Sequence, residues 1–263
     1  MYLCKIFGFI LMYETPCKFE NNIDNDMNIR LFTLPNMLTL ANLVAGAAAI
    51  VCVLQYHAYE TAFWLIIAAA VCDFFDGMVA RLLNQMSPLG VQLDSLADDI
   101  SFGLAPAVVM PDAYMGSTSL YELPANIMEP LRFVVFIIAA FSALRLAKFN
   151  IDTTQATEFR GLPTPANALM LMSLAVLAEQ GEVALYQEHI LLISVAASLL
   201  LISPIRMFAL KFKGFGLRGN ELRYGFLAAA ALIIVFVPKY ALLSIIVLYI
   251  VVSTLRWLVS KER

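Results

Sequence analysis

The sequence predicts an all-α membrane protein, a polytopic bundle of about eight transmembrane helices, and two observations support this fold class. The chain of 263 residues is 61% hydrophobic and 14% charged, whereas soluble domains carry about 25% charged residues. The apolar residues also gather into eight long runs, and a helix needs roughly 20 such residues to cross a bilayer. The net charge of −3 offers no basic field that would attract nucleic acid.

The eight apolar runs are separated by proline, glycine and charged residues, which are the usual breaks between helices. We predict helices at residues 35–56, 59–84, 88–110, 127–149, 164–179, 188–210, 222–237 and 239–258. The segment that precedes them fits no span, because its apolar part, Ile6–Tyr13, is too short to cross a bilayer. Met27 resembles a natural start, so we interpret residues 1–26 as an extension or a misassigned start, and we assign residues 1–30 to an N-terminal extension or interfacial segment.

The basic residues indicate the orientation of the bundle. With eight spans both termini lie on one side of the membrane, and fifteen of the seventeen Lys and Arg residues fall on that side. Arg132 and Lys239 fall on the other side. Since basic loops stay in the cytoplasm, we predict that both termini are cytoplasmic.

Four aspartates interrupt the apolar pattern near the ends of the second and third spans. Asp73 and Asp76 are three residues apart, and Asp94 and Asp98 are four apart, so each pair shares one face of its helix. A short connection makes the two helices antiparallel neighbours, so the four carboxylates are expected to converge at the cytoplasmic end. Asp99 is interpreted as a surface acid at the end of a span.

Such a cluster stays ionised when cations neutralise it, because charges inside a membrane are costly. Carboxylate oxygens are the ligands that Mg²⁺ and Mn²⁺ prefer, and such ions hold phosphates. The neighbouring residues fit a phosphate ligand. Gly77, Ala80 and Gly90 leave room for it against the helix backbones, and Arg81 offers a fixed cation to its oxygens.

The pattern from Asp73 to Asp98, D-x2-D-G-x2-A-R-x8-G-x3-D-x3-D, resembles the signature of the CDP-alcohol phosphatidyltransferase family. The resemblance implies a six-helix catalytic core, usually in a homodimer in the inner (cytoplasmic) membrane, with its site open to the cytoplasm. It also implies a CDP-linked lipid donor, two divalent metal ions and release of CMP. We therefore predict that residues 31–210 form this core and that residues 211–263 add two C-terminal helices.

The resemblance also assigns roles to individual residues. It implies that the four aspartates are metal ligands and that Asp98 is the general base. It further implies that CDP-diacylglycerol is bound by Thr39, Asn42, Asp73, Gly77, Ala80, Arg81, Ser87 and Gly90.

The acceptor alcohol is indicated by the amino-acid sequence that flanks the signature. The stretches at 35–39, 91–98, 101–107, 143–150 and 159–166 resemble the members of the family that use L-serine. Serine carries a carboxylate, so its site needs a cation beside the acids. Arg145 and Lys148, three residues apart at the cytoplasmic end of the fourth span, fit that role. Ordinary membrane anchors are the alternative interpretation of these two residues.

Two other functions are compatible with parts of the sequence. The same chemistry with glycerol 3-phosphate or an inositol phosphate as acceptor would use the same signature. An ion-coupled transporter would also use acids inside the membrane, but it would want them near the midplane. His57 and His189 stand outside any phosphohistidine pattern, so we predict a single displacement without a covalent enzyme intermediate.

Overall fold

The structure is a computed structural model that describes residues 31–122, 124–151, 159–208 and 220–261. The predicted N-terminal extension at residues 1–30 lies outside this described part of the chain, as do the basic residues Lys211, Lys213 and Arg218. The described residues are mostly helical. The α-helices are α1 Leu34–Tyr56, α2 Tyr59–Leu82, α3 Pro88–Asp98, α4 Ala105–Gly116, α5 Ala125–Leu131, α6 Ile137–Ile151, α7 Thr164–Glu179, α8 Gln187–Ile202, α9 Glu221–Phe236 and α10 Ala241–Lys261.

Two of the predicted spans contain an irregular turn between two of these helices. A π-helical turn, Asp99–Leu104, joins α3 to α4, and a 3₁₀ turn, Arg132–Phe136, joins α5 to α6. With these joins the helices occupy the eight predicted positions. Within the described chain, four segments are long and apolar enough to span a membrane by themselves: Leu34–Tyr56, Tyr59–Leu82, Ala125–Ile151 and Pro238–Val259. The protein is therefore an all-α, multi-pass membrane bundle, as the composition predicts.

Two predicted helix ends are wrong. The third span continues through the expected break at Pro111 to Gly116, because a proline inside a membrane helix is tolerated where neighbouring groups satisfy the freed backbone. The sixth span ends at Ile202 rather than at residue 210. Ser203 has extended backbone angles, which is the conformation that a following proline imposes.

A short strand pair closes the same end of the bundle as the aspartates. β1, Phe159–Arg160, pairs antiparallel with β2, Arg206–Met207, and Arg160 lies opposite Arg206. The turn after β1 uses Gly161 at φ 78°, which glycine adopts without strain. A Cβ there would lie 2.2 Å from the Leu201 carbonyl oxygen. This turn places the start of α7 against the end of α8.

Small residues bring helices α1, α2, α4 and α7 close together. The buried core between α1, α2, α4 and α7 is rich in alanine, with Ala49, Ala62, Ala69, Ala105, Ala168 and Ala175 among its members. Small side chains allow close helix packing in membranes, where lipid is as apolar as leucine. This packing fixes the position of α1 against α2 and against the π-helical turn.

Candidate active site

The four predicted aspartates converge at one end of α2 and α3. One carboxylate oxygen from each of Asp73, Asp76 and Asp94 lies within 4.8 Å of the others. Asp98 belongs to the same cluster, since it interacts electrostatically with Asp73 and Asp94. The structure therefore brings together the residues that the i,i+3 and i,i+4 spacings placed on two helix faces.

Burial raises the free-energy cost of keeping these carboxylates charged. Asp76 is 5% exposed and Asp98 is 8% exposed, while Asp73 and Asp94 are half-buried. The Oδ1 atom of Asp94 is buried and has no hydrogen-bond partner within the described part of the chain. Several converging carboxylates with an unpartnered oxygen fit a divalent cation, whose preferred ligands are such oxygens.

Helix α1 supplies two hydrogen bonds to the cluster. The Thr39 hydroxyl donates to Oδ2 of Asp76 at 2.5 Å, and the Asn42 side-chain amide donates to Oδ1 of Asp98 at 3.0 Å. Each donor lies on α1 within the first turns of the span. A third helix therefore takes part in a site that the sequence pattern places on two.

A cleft of about 550 Å³ opens beside the cluster. Six of the residues predicted to bind the donor line it together with two of the aspartates: Thr39, Asp76, Gly77, Ala80, Arg81, Ser87, Gly90 and Asp94. The lining also includes residues without a predicted role, which are Pro35, Asn36, Gln85, Met86, Val91 and Phe149. Asn36 could have been predicted from the sequence, because it lies three residues before Thr39 in the first span.

Local structure explains why some of these residue types are needed. Ser87 caps the start of α3, where its hydroxyl accepts a hydrogen bond from the Gly90 backbone N–H at 3.0 Å, and Pro88 follows at the first helical position. A Cβ on Gly90 would lie 3.2 Å from the Ser87 hydroxyl and 3.4 Å from Oδ1 of Asn36. Glycine at this position therefore keeps the wall of the cleft close to α1.

Asn42 and Asp73 are also predicted to bind the donor. Neither residue lines the cleft. Asn42 is completely buried and points its amide at Asp98. The residue types of the first span are compatible with a nucleotide contact, but the helix phase turns Asn42 toward the acidic cluster.

The two predicted acceptor residues lie on α6. Arg145 is half-buried, donates to the Thr164 hydroxyl at 2.7 Å and interacts electrostatically with Asp98. Its Nε atom is buried without a hydrogen-bond partner in the described chain. Lys148 is exposed, and it lines a small pocket with Arg145, Phe149 and Arg160. Phe149 borders both this pocket and the large cleft.

The arrangement is a helical membrane bundle with paired aspartates on two adjacent spans, and sequence comparison gives its family. The sequence model of CDP-alcohol phosphatidyltransferases matches residues 32–202, and the chain belongs to this family. The family is in general metal-dependent, and the acidic cluster is able to bind a metal ion.

Several relatives share a single name, CDP-diacylglycerol–serine O-phosphatidyltransferase. The Helicobacter pylori strain 26695 relative is 31% identical over 237 residues, which cover 87% of this chain and 92% of the relative. The Bacillus subtilis relative is 38% identical over 143 residues, 54% of this chain and 75% of the relative. The Methanocaldococcus jannaschii relative is 29% identical over 216 residues, 81% of this chain and 89% of the relative.

Proposed function

We propose that this protein transfers the phosphatidyl group of CDP-diacylglycerol to L-serine, forming phosphatidylserine and releasing CMP. The observation that carries the proposal is the convergence of Asp73, Asp76 and Asp94 beside a cleft lined by the signature residues Gly77 and Arg81. The names of the relatives support serine as the acceptor.

The large cleft is the proposed donor site. Its volume of about 550 Å³ is that of a ligand pocket, and its lining combines small residues with one guanidinium. Gly77 and Ala80 leave the α2 backbone accessible to a phosphate, and Arg81 offers charge to its oxygens. Arg81 is held in place by its own helix, since its Nε donates to the Gly77 carbonyl oxygen at 2.8 Å.

Asp73, Asp76, Asp94 and Asp98 are the proposed ligands of two divalent ions, Mg²⁺ or Mn²⁺. Bound ions of this kind neutralise the pyrophosphate and stabilise the charge that develops on CMP as it leaves. The unpartnered Asp94 oxygen is the feature of this site that a cation explains best.

Asp98 is the proposed general base. The serine hydroxyl attacks the lipid-linked phosphorus, its proton passes to the Asp98 carboxylate, and the bond from that phosphorus to CMP breaks. Both substrates are bound together, so the displacement is in line and the configuration at phosphorus inverts. No histidine of the described chain lies in this cluster, and a carboxylate is a suitable proton acceptor when it is placed within hydrogen-bond reach.

Arg145 is the proposed partner of the serine carboxylate, with Lys148 beside it. Arg145 lies next to Asp98, so a serine held by its carboxylate would have its hydroxyl near the base. The small pocket that Arg145, Lys148 and Arg160 share supplies positive charge from two segments of the chain. We also propose that the enzyme is a homodimer of the inner (cytoplasmic) membrane with its site at the cytoplasmic face.

The proposal is tested with purified protein, CDP-diacylglycerol and a panel of labelled acceptors. Label should enter lipid from serine and not from glycerol 3-phosphate or an inositol phosphate, and chelation of divalent ions should abolish it. Asp98→Asn should lower kcat by about 100-fold or more, while CDP-diacylglycerol still binds. Preferential labelling from another acceptor, or retention of configuration at phosphorus, would contradict the assignment.

A further inference from the structure

Helix α1 presents one polar face to the acidic cluster. Thr39, Asn42 and Gly46 follow one another at spacings of three and four residues, so they lie on the same side of the helix. Thr39 donates to Asp76, Asn42 donates to Asp98, and Gly46 packs against Ser101. This face therefore touches both carboxylate-bearing helices and the π-helical turn that follows Asp98.

The contact between Asn42 and Asp98 restricts the orientation of the carboxylate. The amide nitrogen of Asn42 can donate but cannot accept, so Oδ1 of Asp98 is the acceptor in this pair. Asn42 is completely buried and Asp98 is 8% exposed, so water does not readily replace the bond. With Oδ1 engaged, Oδ2 is the oxygen of Asp98 that has no contact with Asn42.

Asn42 is itself anchored to the helix that it serves. Its backbone carbonyl oxygen accepts a hydrogen bond from the Ser101 hydroxyl at 2.9 Å, and Ser101 lies three residues after Asp98. One turn further along α1, a Cβ on Gly46 would lie 2.2 Å from the Ser101 hydroxyl and 2.6 Å from its Cα. The side chain and the backbone of Asn42 thus contact the end of α3 and the π-helical turn that follows it.

We propose that Asn42 is a positioning residue that orients the Asp98 carboxylate toward the acceptor hydroxyl, and that it is not a contact of the nucleotide. The proposal rests on the proposed function, in which Asp98 is the general base. Its basis is geometric: Asn42 is absent from the lining of the cleft, and the one side-chain atom of Asn42 with a hydrogen-bond partner among the described residues is directed at Asp98.

The test compares Asn42→Leu, which has similar size and no donor, with the wild-type enzyme. We expect kcat to fall about 10- to 100-fold, as is typical when the partner that orients a functional group is removed, and the Kd for CDP-diacylglycerol to stay near its wild-type value. In an Asp98→Asn background, Asn42→Leu should cause little further loss, because residues that act through one another are not additive.

Ser101→Ala is the matched control, because it removes the anchor at the Asn42 backbone and keeps the amide donor. A loss of kcat equal to that of Asn42→Leu would show that only helix packing is involved, which would overturn the proposal. A weaker Kd for CDP-diacylglycerol at unchanged kcat would return Asn42 to the donor site. If Asn42→Leu does not fold, Asn42→Ala carries the same expectations. Full activity of Asp98→Asn would instead refute the proposed function itself.

Discussion

The four carboxylates differ in their hydrogen bonds, although their spacing in the sequence makes them look equivalent. Asp76 receives a bond from Thr39 and Asp98 receives one from Asn42. Asp94 has a buried oxygen without a partner in the described chain, and it lies beside the charge of Asp76. We therefore expect the proposed role as a metal ligand to matter more at Asp94 than at Asp76 or Asp98.

This difference predicts the behaviour of Asp94→Asn. The substitution keeps the shape of the side chain but removes a charged ligand, so we expect a higher Mg²⁺ concentration for half-maximal activity and a lower kcat. The melting temperature without metal should not fall, because one of several mutually repelling charges has gone. The measurements are a metal titration of activity and thermal unfolding in detergent. Glu60→Gln, at the opposite end of α2, is the control, and wild-type metal dependence of Asp94→Asn would contradict the ligand assignment.

A second prediction at this scale concerns Arg145. Arg145→Ala should raise the KM for serine roughly 10- to 100-fold, as expected from the loss of a hydrogen bond to a charged group of about 1.5–3 kcal/mol. The KM for CDP-diacylglycerol should change little. Thr164→Val is the matched control, since it removes the bond that Arg145 makes within the protein and keeps the guanidinium. An effect confined to the lipid donor would assign Arg145 to the other substrate.

At the scale of elements, the π-helical turn Asp99–Leu104 joins the cluster to the core. Ser101 of this turn meets Gly46 of α1 on one side. On another side, a Cβ on Gly103 would lie 2.6 Å from the Ser142 hydroxyl of α6. Asp99, interpreted from the sequence as a surface acid, is half-buried in this turn, and its Oδ1 atom is buried. That interpretation is wrong because the turn packs between α1 and α6 rather than lying at the end of a span.

The close approach of α1 to this turn predicts the effect of Gly46→Ala. The added methyl group would overlap the Ser101 backbone, so one helix must shift at a cost of about 1–3 kcal/mol. We expect a lower melting temperature and a lower kcat, because Asn42 and Asp98 would separate. Gly225→Ala in α9 is the control, since no atom lies within 4 Å of its added Cβ. An unchanged melting temperature for Gly46→Ala would show that the contact between Gly46 and Ser101 has room for a methyl group.

A polar contact at the opposite end of the bundle predicts a pH dependence of stability. Nδ1 of His57 lies 2.9 Å from Oδ2 of Asp112, which also accepts the Tyr59 hydroxyl at 2.7 Å. The hydrogen bond and charge of Asp112 raise the pKa of His57 above its usual 6.5. A raised pKa stabilises the fold fully below about pH 6.5, and the stabilisation is lost as the pH rises through the folded-state pKa.

The measurement is the melting temperature of the wild-type protein and of His57→Gln, from below about pH 6.5 to above the folded-state pKa of His57. The wild-type advantage should be largest at the acid end and should disappear at the alkaline end. Tyr59→Phe is the control, because it removes the other bond to Asp112 without a group that titrates in this range. A constant difference between wild type and His57→Gln at all pH values would exclude the ion pair.

At the scale of the whole molecule, the last helix, α10, packs into the bundle beside the site. The family match ends at residue 202, yet Ile246 of α10 is part of a buried core cluster. Tyr249 of α10 donates to the Phe208 carbonyl oxygen at 3.0 Å and packs against the Phe208 ring. It also interacts electrostatically with Arg145. Helix α10 therefore lies next to the proposed acceptor residue Arg145.

The charge distribution predicts the orientation of the whole bundle. Fifteen of the seventeen basic residues fall on the side of the two termini, so a reporter fused after Arg263 should read as cytoplasmic. Fusions placed in the loop at residues 180–186 should read as external and serve as the control. An external signal after Arg263 would contradict the eight-span topology.

The sequence alone determined the fold class, the approximate positions of eight spans and the convergence of the four aspartates. These features depend on local properties, because apolar runs set helix positions and spacings of three and four residues set helix faces. The end of the third span was less predictable, since the effect of Pro111 depends on its neighbours. The end of the sixth span carries a local signal in Pro204, which disfavours helix at Ser203.

The tertiary structure decided which residues hold the aspartates in place. Thr39 meets Asp76 across 37 residues and Asn42 meets Asp98 across 56, and neither pairing has a local signal. The pairings depend on the phase of α1, which is fixed by the close contact of Gly46 with Ser101, and on the π-helical turn. Contacts between distant helices are set by how closely their surfaces pack, and that packing is a property of the whole bundle rather than of any one segment.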